Sequence, residues 1–562
     1  MAQFPLIDQA SLVMIPGAYK ESKVYSQLPT DGSGDFTFSR STAATRVNAD
    51  GNIEKETQNL LLQSNDFDTS PWGLNSVTLT SGQTGYDGTS DAWLLTNTST
   101  SFPRIQASNT SSGVLTYSVY AKAGTNDFIY LRTFGADAES WFNLDTGSVT
   151  STAGGGLIDA NIEDIGSGWY RCSMTMSGTL TYVRIYPASA LGVYDLGNIY
   201  IQDAQLEQGL VARDYIETTT AAVEGGITDN VPRLDYTDSS CPALLLEPQR
   251  TNLFTQSEYF GTNYWQKITT TITTNTKISP DGYENATTLT PTSASTNSGI
   301  TAYLVTSATA HTMSVYAKVA SGTKSFKFFR YNSTDGSVSS PIFTATTTWQ
   351  RFTWTTSPSV AGSSWYINNA AADTIPFDIY GAQLEAGSYA TSYIPTYGTS
   401  VTTGADSCTG AGDATTFNAS EGVFYAEIST NTDDTDKAIS LNNNVTGATN
   451  NRLWMGYSSS FKRVYALGYV NNSLQFVFNK LMTDESLFVK IACKYAENDV
   501  AFFVNGEKVG TDTSALAFTE LTSMDFNIGN GNNASPFYGN VKQTLVFNEA
   551  LSDADCITLT TL

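Results

Sequence analysis

The sequence predicts an all-β protein made of tandem β-sandwich modules of the jelly-roll type. Short runs that alternate apolar and polar residues recur along the chain, for example residues 114–122 and 486–493, and Gly, Asn, Asp and Ser separate them. The Thr-rich run 269–276 suits an exposed strand face, since β-branched side chains lose rotamer freedom in a helix. Helical signals are limited to single turns such as residues 551–556.

Composition limits the classes of function. The chain has 562 residues, 40% of them hydrophobic and 12% aromatic, which is enough for several packed cores. It carries 29 basic and 53 acidic residues, hence a net charge of −24. Such a surface repels phosphate backbones and anionic lipid, so we expect neither a nucleic-acid nor a membrane partner. The first residues carry no basic stretch before an apolar one, so we expect no secretory signal.

Histidine and cysteine usage argues against several kinds of site. Because His311 is the only histidine in the sequence, a metal site with several histidines is excluded. Its place at the start of a predicted strand favours a structural role over a catalytic one. Five cysteines lie far apart along the chain, which fits neither a zinc ribbon nor a disulfide framework. This usage indicates folding in a reducing cytoplasm.

An internal repeat organises the middle of the chain. Residues 59–67 with Trp72 recur as residues 252–260 with Trp265. Four further blocks recur in the same order: 118–122 as 314–318, 169–171 as 349–351, 204–207 as 382–385, and 215–216 as 393–394. We therefore predict that residues 58–222 and 251–400 are two copies of one β-sandwich module.

The repeat also separates framework residues from candidate ligand-binding residues. Aromatics that both copies share, such as Trp72 and Trp265, are expected to be buried framework. Trp141 and Trp365 each occur in one copy only, so they are candidates for ligand contact. Packing beneath a loop is the alternative for both.

A third unit, residues 401–562, follows a Gly-, Thr- and Ser-containing linker. Residues 500–504 lead into Asn505-Gly506, which predicts a hairpin with a type I′ turn because both turn positions need positive φ. The strings FFVNGEKVG (502–510), NIG (527–529), and VFNEALSDA (546–554) resemble the laminin-G/concanavalin-like jelly roll. The resemblance implies a fold but no single function, since this scaffold hosts lectins, glycosidases and spacers.

Two groups of strings carry a further signal: FSRSTAATRVN (38–48) is the first, and VPRLDY (231–236) with LLLEPQRTNL (244–253) is the second. They resemble the N-terminal segments of tailed-phage structural proteins of the fibre, decoration and tail-appendage type, which implies that the sandwiches 58–222 and 251–400 are carbohydrate-binding-like modules. The resemblance implies that residues 1–57 attach to a virion and that residues 223–250 form a connector. In that family the two groups are nearly contiguous, whereas here the first sandwich copy separates them, which indicates an inserted module. Whether the two segments pack together is open at this stage.

Candidate ligand and metal sites lie in the third unit. Trp454 and Tyr457, with Asn532 and Asn533, combine aromatic faces for sugar rings with amides for sugar hydroxyls. The alternative for Trp454 is a place in the core.

The acidic run Asp433, Asp434 and Asp436 is typical of a solvated turn, with Ca²⁺ binding as the alternative; no other cofactor is expected. The third unit has no E-x-D-x-E strand of the concanavalin type, and the chain has no phosphate loop or nucleophile elbow, so we predict no enzymatic activity.

Together these patterns predict a non-enzymatic protein of a phage virion surface, made in the host cytoplasm, that displays glycan-binding sandwiches. Its expected partners are capsid or tail proteins, host-surface or environmental glycans, and further copies of itself, a trimer being one candidate. A spacer or decoration subunit without a ligand and a secreted carbohydrate-binding protein are the alternatives.

Overall fold

This computed structural model describes residues 6–237, 239–431, 435–445, 451–458, 462–529 and 535–561. The predicted fold class is confirmed, because these residues form antiparallel sheets that pack in pairs as three β-sandwiches. Within the same residues, no helix combines the length and the apolar character that crossing a membrane requires.

The N-terminal segment is a series of short strands. It contains the 3₁₀ turn Ile7–Gln9, β1 (Ala10–Met14), β2 (Tyr19–Lys20), β3 (Lys23–Val24), β4 (Phe36–Ser39), β5 (Arg46–Val47), β6 (Ile53–Glu54) and β7 (Thr57–Asn59).

The first sandwich stacks two six-stranded sheets, ordered β16-β17-β12-β19-β10-β9 and β15-β14-β13-β18-β11-β8. Its strands are β8 (Trp72–Asn75), β9 (Val77–Gln83), β10 (Ala92–Asn97), β11 (Arg104–Ser108), β12 (Ser112–Ala123), β13 (Phe128–Phe134), β14 (Ala138–Asn143), β15 (Ser148–Ala153), β16 (Leu157–Gly166), β17 (Trp169–Thr179), β18 (Tyr182–Ala188) and β19 (Asn198–Gln208). Alternate residues, such as Ile129 and Leu131 on β13, fill the space between the sheets.

A connector follows, with β20 (Val223–Gly225), β21 (Arg233–Asp235), β22 (Ala243–Leu246) and β23 (Arg250–Asn252).

The second sandwich stacks β24-β27-β33-β29-β30, with β31 beside β29, on β25-β26-β34-β28-β32. Its strands are β24 (Gln266–Ile268), β25 (Thr270–Lys277), β26 (Ala286–Pro291), β27 (Gly299–Leu304), β28 (His311–Lys318), β29 (Lys324–Asn332), β30 (Gly336–Ser339), β31 (Phe343–Ala345), β32 (Gln350–Thr356), β33 (Ser363–Asn369) and β34 (Phe377–Ala386). His311 begins β28 as predicted; it is buried, and its Nδ1 lies 2.8 Å from the Thr309 carbonyl oxygen.

The C-terminal part contains β35 (Val401–Thr403), β36 (Ser407–Thr409), β37 (Glu421–Ser429), β38 (Lys437–Asn442), β39 (Arg452–Ser458), β40 (Arg463–Val470), β41 (Ser473–Leu481), β42 (Val489–Ala496), β43 (Val500–Val504), β44 (Glu507–Asp512), β45 (Ser523–Asp525), β46 (Gly539–Phe547) and helix α1 (Asp553–Thr560). The predicted β43–β44 hairpin is confirmed, with φ of 49° at Asn505 and 78° at Gly506.

The two copies of the repeat are held by equivalent hydrogen bonds. The side-chain amide of Asn59 donates to the carbonyl oxygens of Ala204 and Ile216 at 3.1 and 2.8 Å. That of Asn252 donates to Ala382 and Ile394 at 3.1 and 2.8 Å. In both copies this residue ties the entering chain to the last strand and to the segment that leaves it.

The shared tryptophans are framework, as predicted. Trp72 and Trp265 are buried, and each indole N–H donates to a backbone carbonyl nine residues earlier, Gln63 at 2.9 Å and Gln256 at 2.8 Å. A side chain enclosed in this way offers no face to a ligand.

The third sandwich is a composite of distant parts of the chain. One sheet has the order β21-β22-β46-β37-β42-β43-β44, with β1 also paired to β46, and the other has the order β41-β40-β39-β38-β45. Strands β1 and β22 pair with different ends of β46. Leu12, Phe36 and Leu244 are buried in the same core as Phe424 and Phe502.

This arrangement corrects the predicted limits of the third unit, because the predicted attachment segment 1–57 and the predicted connector 223–250 belong to its sandwich as well. Both supply strands and apolar side chains to the composite sandwich, so neither is independent of residues 401–562. The open question of whether they pack together is also answered: the Val47 N–H donates to Asp235 Oδ1 at 3.1 Å, and the Tyr236 N–H to the Val47 carbonyl at 3.1 Å.

Each of the other two sandwiches is an insertion closed by a two-stranded ladder. Strand β7 pairs with β20 where the chain enters and leaves the first sandwich, and β23 pairs with β35 around the second. The ends of each insertion therefore lie side by side on the composite sandwich.

A cluster of buried charges, here called the base junction, joins the segments between the insertions. It consists of Arg40, Arg233, Glu247 and Asp406. Asp406 accepts from Arg40 at 3.1 Å and also from Arg233, whose other terminal nitrogen donates to Glu247 at 2.5 Å. Three of these four side chains are fully buried, those of Arg40, Arg233 and Asp406.

A second buried cluster joins both insertions to the N-terminal segment. Lys55 Nζ lies 2.7 Å from Glu258 Oε1 and 2.7 Å from Asp281 Oδ2, and Arg213 of the first insertion lies 2.9 Å from Asp281. Burial alone would raise the pKa of Asp281, but the charges of Lys55 and Arg213 hold it below its ordinary value.

We expect Asp406→Ala to destabilise the protein by about 3–5 kcal/mol, because it leaves two buried guanidinium groups without their shared carboxylate. The free energy of unfolding of the composite sandwich, followed in urea, is the measurement. Glu507→Ala is the control, since it breaks an exposed pair with Lys480 and should cost less than about 1 kcal/mol. Equal, small effects of both variants would contradict the importance of the base junction.

Candidate functional site

The outer face of the five-stranded sheet of the composite sandwich combines aromatic and polar side chains. On β39 the pleat turns Leu453, Met455 and Tyr457 into the core and leaves Trp454 and Ser458 on the outer face. We call this surface the Trp454 face. Trp454 therefore does not take the alternative place in the core, and its contact with a ligand stays a prediction.

The prediction of ligand contact is wrong for two residues, Tyr457 and Trp365. Tyr457 is 2% exposed, and its hydroxyl donates to the Ile428 carbonyl at 3.1 Å, so it belongs to the core. Trp365 is fully buried in the second sandwich beside Ile367, on the inward side of β33. Neither ring has a free face.

Trp141 is packed against other side chains, as the alternative to ligand contact predicts. It lies on the outer face of β14 but is only 9% exposed, because its ring stacks on Tyr130 with centroids 4.2 Å apart and also contacts Tyr194. Its aromatic neighbours, not a ligand, occupy its face.

Four further predicted residues, Asn532, Asn533, Asp433 and Asp434, lie outside the described residues. Asp436 is described and exposed. The described part of the chain contains no group of three or more His, Cys, Asp or Glu side chains that could hold a metal ion.

A cavity of about 380 Å³ opens on the Trp454 face. Its lining consists of Asp436, Trp454, Ser458, Arg463, Tyr465, Leu467, Val477, Asn479, Ile528 and Ser535. Trp454 is half-buried; its ring stacks on Tyr469 with centroids 5.5 Å apart, and the Arg452 guanidinium lies 5.6 Å from the ring centroid. These two neighbours fix the orientation of the indole.

Hydrogen-bonding groups surround the indole. Arg463 donates to Asn479 Oδ1 at 3.1 Å, across β40 and β41. Burial, and then the charge of Asp436, raise the pKa of Tyr465 well above its ordinary value, so its hydroxyl stays protonated at neutral pH. The cavity therefore offers a guanidinium, an amide, a hydroxyl and a carboxylate around one aromatic ring.

A second, more polar cavity of about 290 Å³ lies on the same sheet, lined by Ser407, Thr409, Gly410, Asn444, Ser523, Asp525, Asn527 and Gly529. The Asp525 carboxylate accepts from the Gly410 N–H and the Asn442 amide, both at 2.7 Å. Arg452 donates to the Gly529 carbonyl at 3.1 Å and so connects this cavity with Trp454. Sequence reasoning missed Arg463, Asn479 and Asp525, because only the strand register places the first two in the cavity of Trp454 and the third two strands away from it.

A larger cavity, of about 600 Å³, lies instead where the two insertions meet the N-terminal segment. Gln58, Gln208 and Gln256 line it together with Glu56. Burial, with Glu224 and Asp229 nearby, raises the pKa of Glu56 to about 7. Because this cavity lies between the two insertions and the N-terminal segment, we assign it to the interface that joins these three units.

Comparison with known proteins gives a family match for the composite sandwich. Residues 423–556, which hold β37 to the first part of α1, match the Concanavalin A-like lectin/glucanases superfamily. This agrees with the resemblance in residues 502–554. No curated protein matches the chain.

Several solved structures are similar to parts of the chain. The CBM40 of a Ruminococcus gnavus IT-sialidase is 20% identical over 27% of this chain and 92% of its own, with a TM-score of 0.23. The tandem CBM22-1-CBM22-2 of Paenibacillus barcinonensis Xyn10C is 14% identical over 58% of this chain and 97% of its own, with a TM-score of 0.22. A leech intramolecular trans-sialidase is 19% identical over 26% of this chain and 24% of its own, with a TM-score of 0.22.

Proposed function

We propose that this chain is a non-enzymatic glycan-binding protein and that the Trp454 face is its binding surface. The observation that carries the proposal is the placement of Trp454, a half-buried indole in a cavity whose rim holds Arg463, Asn479 and Asp436. The superfamily match to residues 423–556 supports the proposal, because it covers the strands that build this face.

The chemistry of the cavity suits a sugar. The C–H face of a pyranose packs on an indole, and its hydroxyls pair with amide, guanidinium and carboxylate groups, which donate and accept in several directions. Tyr469 and Arg452 already hold the Trp454 ring, so little side-chain freedom is lost on binding. A volume of about 380 Å³ is within the range of small-ligand sites and fits one or two sugar units.

One shallow site of this kind binds weakly. A single stacked ring with a few hydrogen bonds gives a Kd nearer mM than nM, and several copies acting together would be needed for firm adhesion. The proposal therefore includes a homo-oligomer, for which a trimer is one candidate.

A glucanase activity is the competing class, since the superfamily includes enzymes. Glycosidases need two carboxyl groups roughly 5–10 Å apart on either side of the scissile bond. Asp525, the buried carboxylate of this face, already accepts hydrogen bonds from Gly410, Asn442 and Ser523, which assigns it to holding the loops. Release of new reducing ends from a bound glycan would favour the enzyme.

We expect Trp454→Ala to remove glycan binding by the full chain on a glycan array while shifting the melting temperature by less than about 2 °C, because the ring is only half-buried and lies outside the core. Leu487→Ala is the matched control: the residue is 63% exposed and does not line the cavity. Unchanged binding by Trp454→Ala would contradict the proposed surface. Absence of binding by the wild-type chain would favour the spacer alternative.

We further propose that the sandwiches are displayed on a tailed-phage particle, in contact with capsid or tail proteins. The support is the resemblance of residues 38–48, 231–236 and 244–253 to phage structural proteins. Electron microscopy of particles labelled with an antibody to the second sandwich tests it. Label at a fixed place on each particle is expected, and unlabelled particles with secreted protein in the medium would favour a secreted carbohydrate-binding protein.

A further inference from the structure

The outer face of the β13–β18 pair in the first sandwich places two positive charges side by side. Arg132 on β13 is directly opposite Arg184 on β18, and both side chains are partly exposed. Like charges at directly opposed positions of an antiparallel pair destabilise a sheet. A sequence retains such a pair at a cost to stability unless something offsets the repulsion.

Both guanidinium groups are held in place by one aromatic ring. The guanidinium carbons of Arg132 and Arg184 lie 4.5 and 4.0 Å from the centroid of Phe134, and Arg184 is also 5.7 Å from that of Tyr182. Stacking on a ring leaves the edges of a guanidinium, with their N–H groups, directed away from the ring face. The two cations therefore lie against one ring, at directly opposed positions of the sheet.

The charge on this face is incompletely balanced. Glu139 Oε2 lies 3.4 Å from Arg132 Nε and accepts from the Tyr130 hydroxyl at 2.5 Å. Arg184 donates to the Tyr186 hydroxyl at 3.2 Å, its Nε is buried without a hydrogen-bond partner, and no carboxylate of the described residues lies within 4.0 Å of it.

A third arginine lies nearby on the same sheet. Arg104 is on β11, two residues before Gln106, which is the register partner of Arg184. Its hydrogen-bond partners are Asn75, the Phe102 carbonyl and Gln106, and no carboxylate of the described residues lies within 4.0 Å of it either. Three arginines and one glutamate thus share a face in a chain whose net charge is −24.

The second copy of the repeat shows that the sandwich does not require these arginines. In the second copy the pair β29–β33 takes the place of β13–β18, and no two cations are directly opposed in it. Phe328 is opposite Ile367 there, and the next outward pair is Phe329 with Tyr366, whose rings meet edge to face with centroids 4.9 Å apart.

We propose that this face of the first sandwich binds an acidic saccharide through a sugar carboxylate. Two adjacent guanidinium groups match the planar, bidentate geometry of a carboxylate, which would also remove the repulsion between Arg132 and Arg184. Tyr182 and Phe102, 38% and 60% exposed, offer apolar surface for the sugar rings that carry the carboxylate. The site is separate from the Trp454 face and does not depend on it.

The test uses the full chain and oligogalacturonate of defined length, with its methyl ester as the matched neutral probe, in titration calorimetry. We expect binding of the acid form, weakening as salt rises, and no binding of the ester. The double variant Arg132→Phe/Arg184→Tyr, which copies the pair of the second sandwich, should bind at least about tenfold more weakly. Lys20→Gln/Lys277→Gln removes the same charge from exposed positions elsewhere and should bind like the wild type.

Three outcomes would overturn the proposal: unchanged binding by the double variant, equal binding of acid and ester, or equal binding of hexaglutamate, which would show a general carboxylate site. If the double variant does not fold, Arg184→Lys keeps the charge but removes the bidentate fork, and should still bind several-fold more weakly. Trp454→Ala should leave this binding unchanged, so that failure here and failure of the Trp454 face are distinguishable.

Discussion

Four side chains from three separated parts of the sequence share buried charge at the base junction. Arg40 comes from the N-terminal segment, Arg233 and Glu247 from the connector, and Asp406 from the chain that leaves the second insertion. None of these groups could be buried alone, because an unpaired charge in the interior costs several kcal/mol. The junction therefore forms only when all three segments meet, and the composite sandwich and the placement of both insertions depend on that meeting.

The junction also gives a structural role to three strings of the sequence, residues 38–48, 231–236 and 244–253. These strings contain three residues of the base junction, Arg40, Arg233 and Glu247. Their buried ion pairs join the segments that form the composite sandwich. Both insertions leave the composite sandwich where the chain returns on itself, as the β7–β20 and β23–β35 ladders show. Because the two ends of each insertion pair with each other, the insertions do not interrupt the sheets of the composite sandwich.

Local sequence patterns predicted much of the fold, but they could not predict which strands pair between distant segments of the chain. Alternation gave the strands, Asn505-Gly506 gave the hairpin, and the repeat gave two related sandwiches. Side chains alternate between the two faces of a strand, so residues three apart, such as Trp454 and Tyr457, lie on opposite faces. With Trp454 on the outer face, this alternation alone places Tyr457 in the core. The pairing of β1 with β46 has no local signal, because strand partners are chosen by tertiary packing.

Residues 401–562 depend on the N-terminal segment and the connector to fold. The direct measurement is urea unfolding of two fragments, residues 401–562 alone and a shortened chain in which short linkers replace residues 58–222 and 251–400. We expect one cooperative transition for the shortened chain and none for residues 401–562 alone, which lack β1, β21, β22 and two arginines of the base junction. A cooperative transition of residues 401–562 alone, with the same midpoint as the shortened chain, would contradict it.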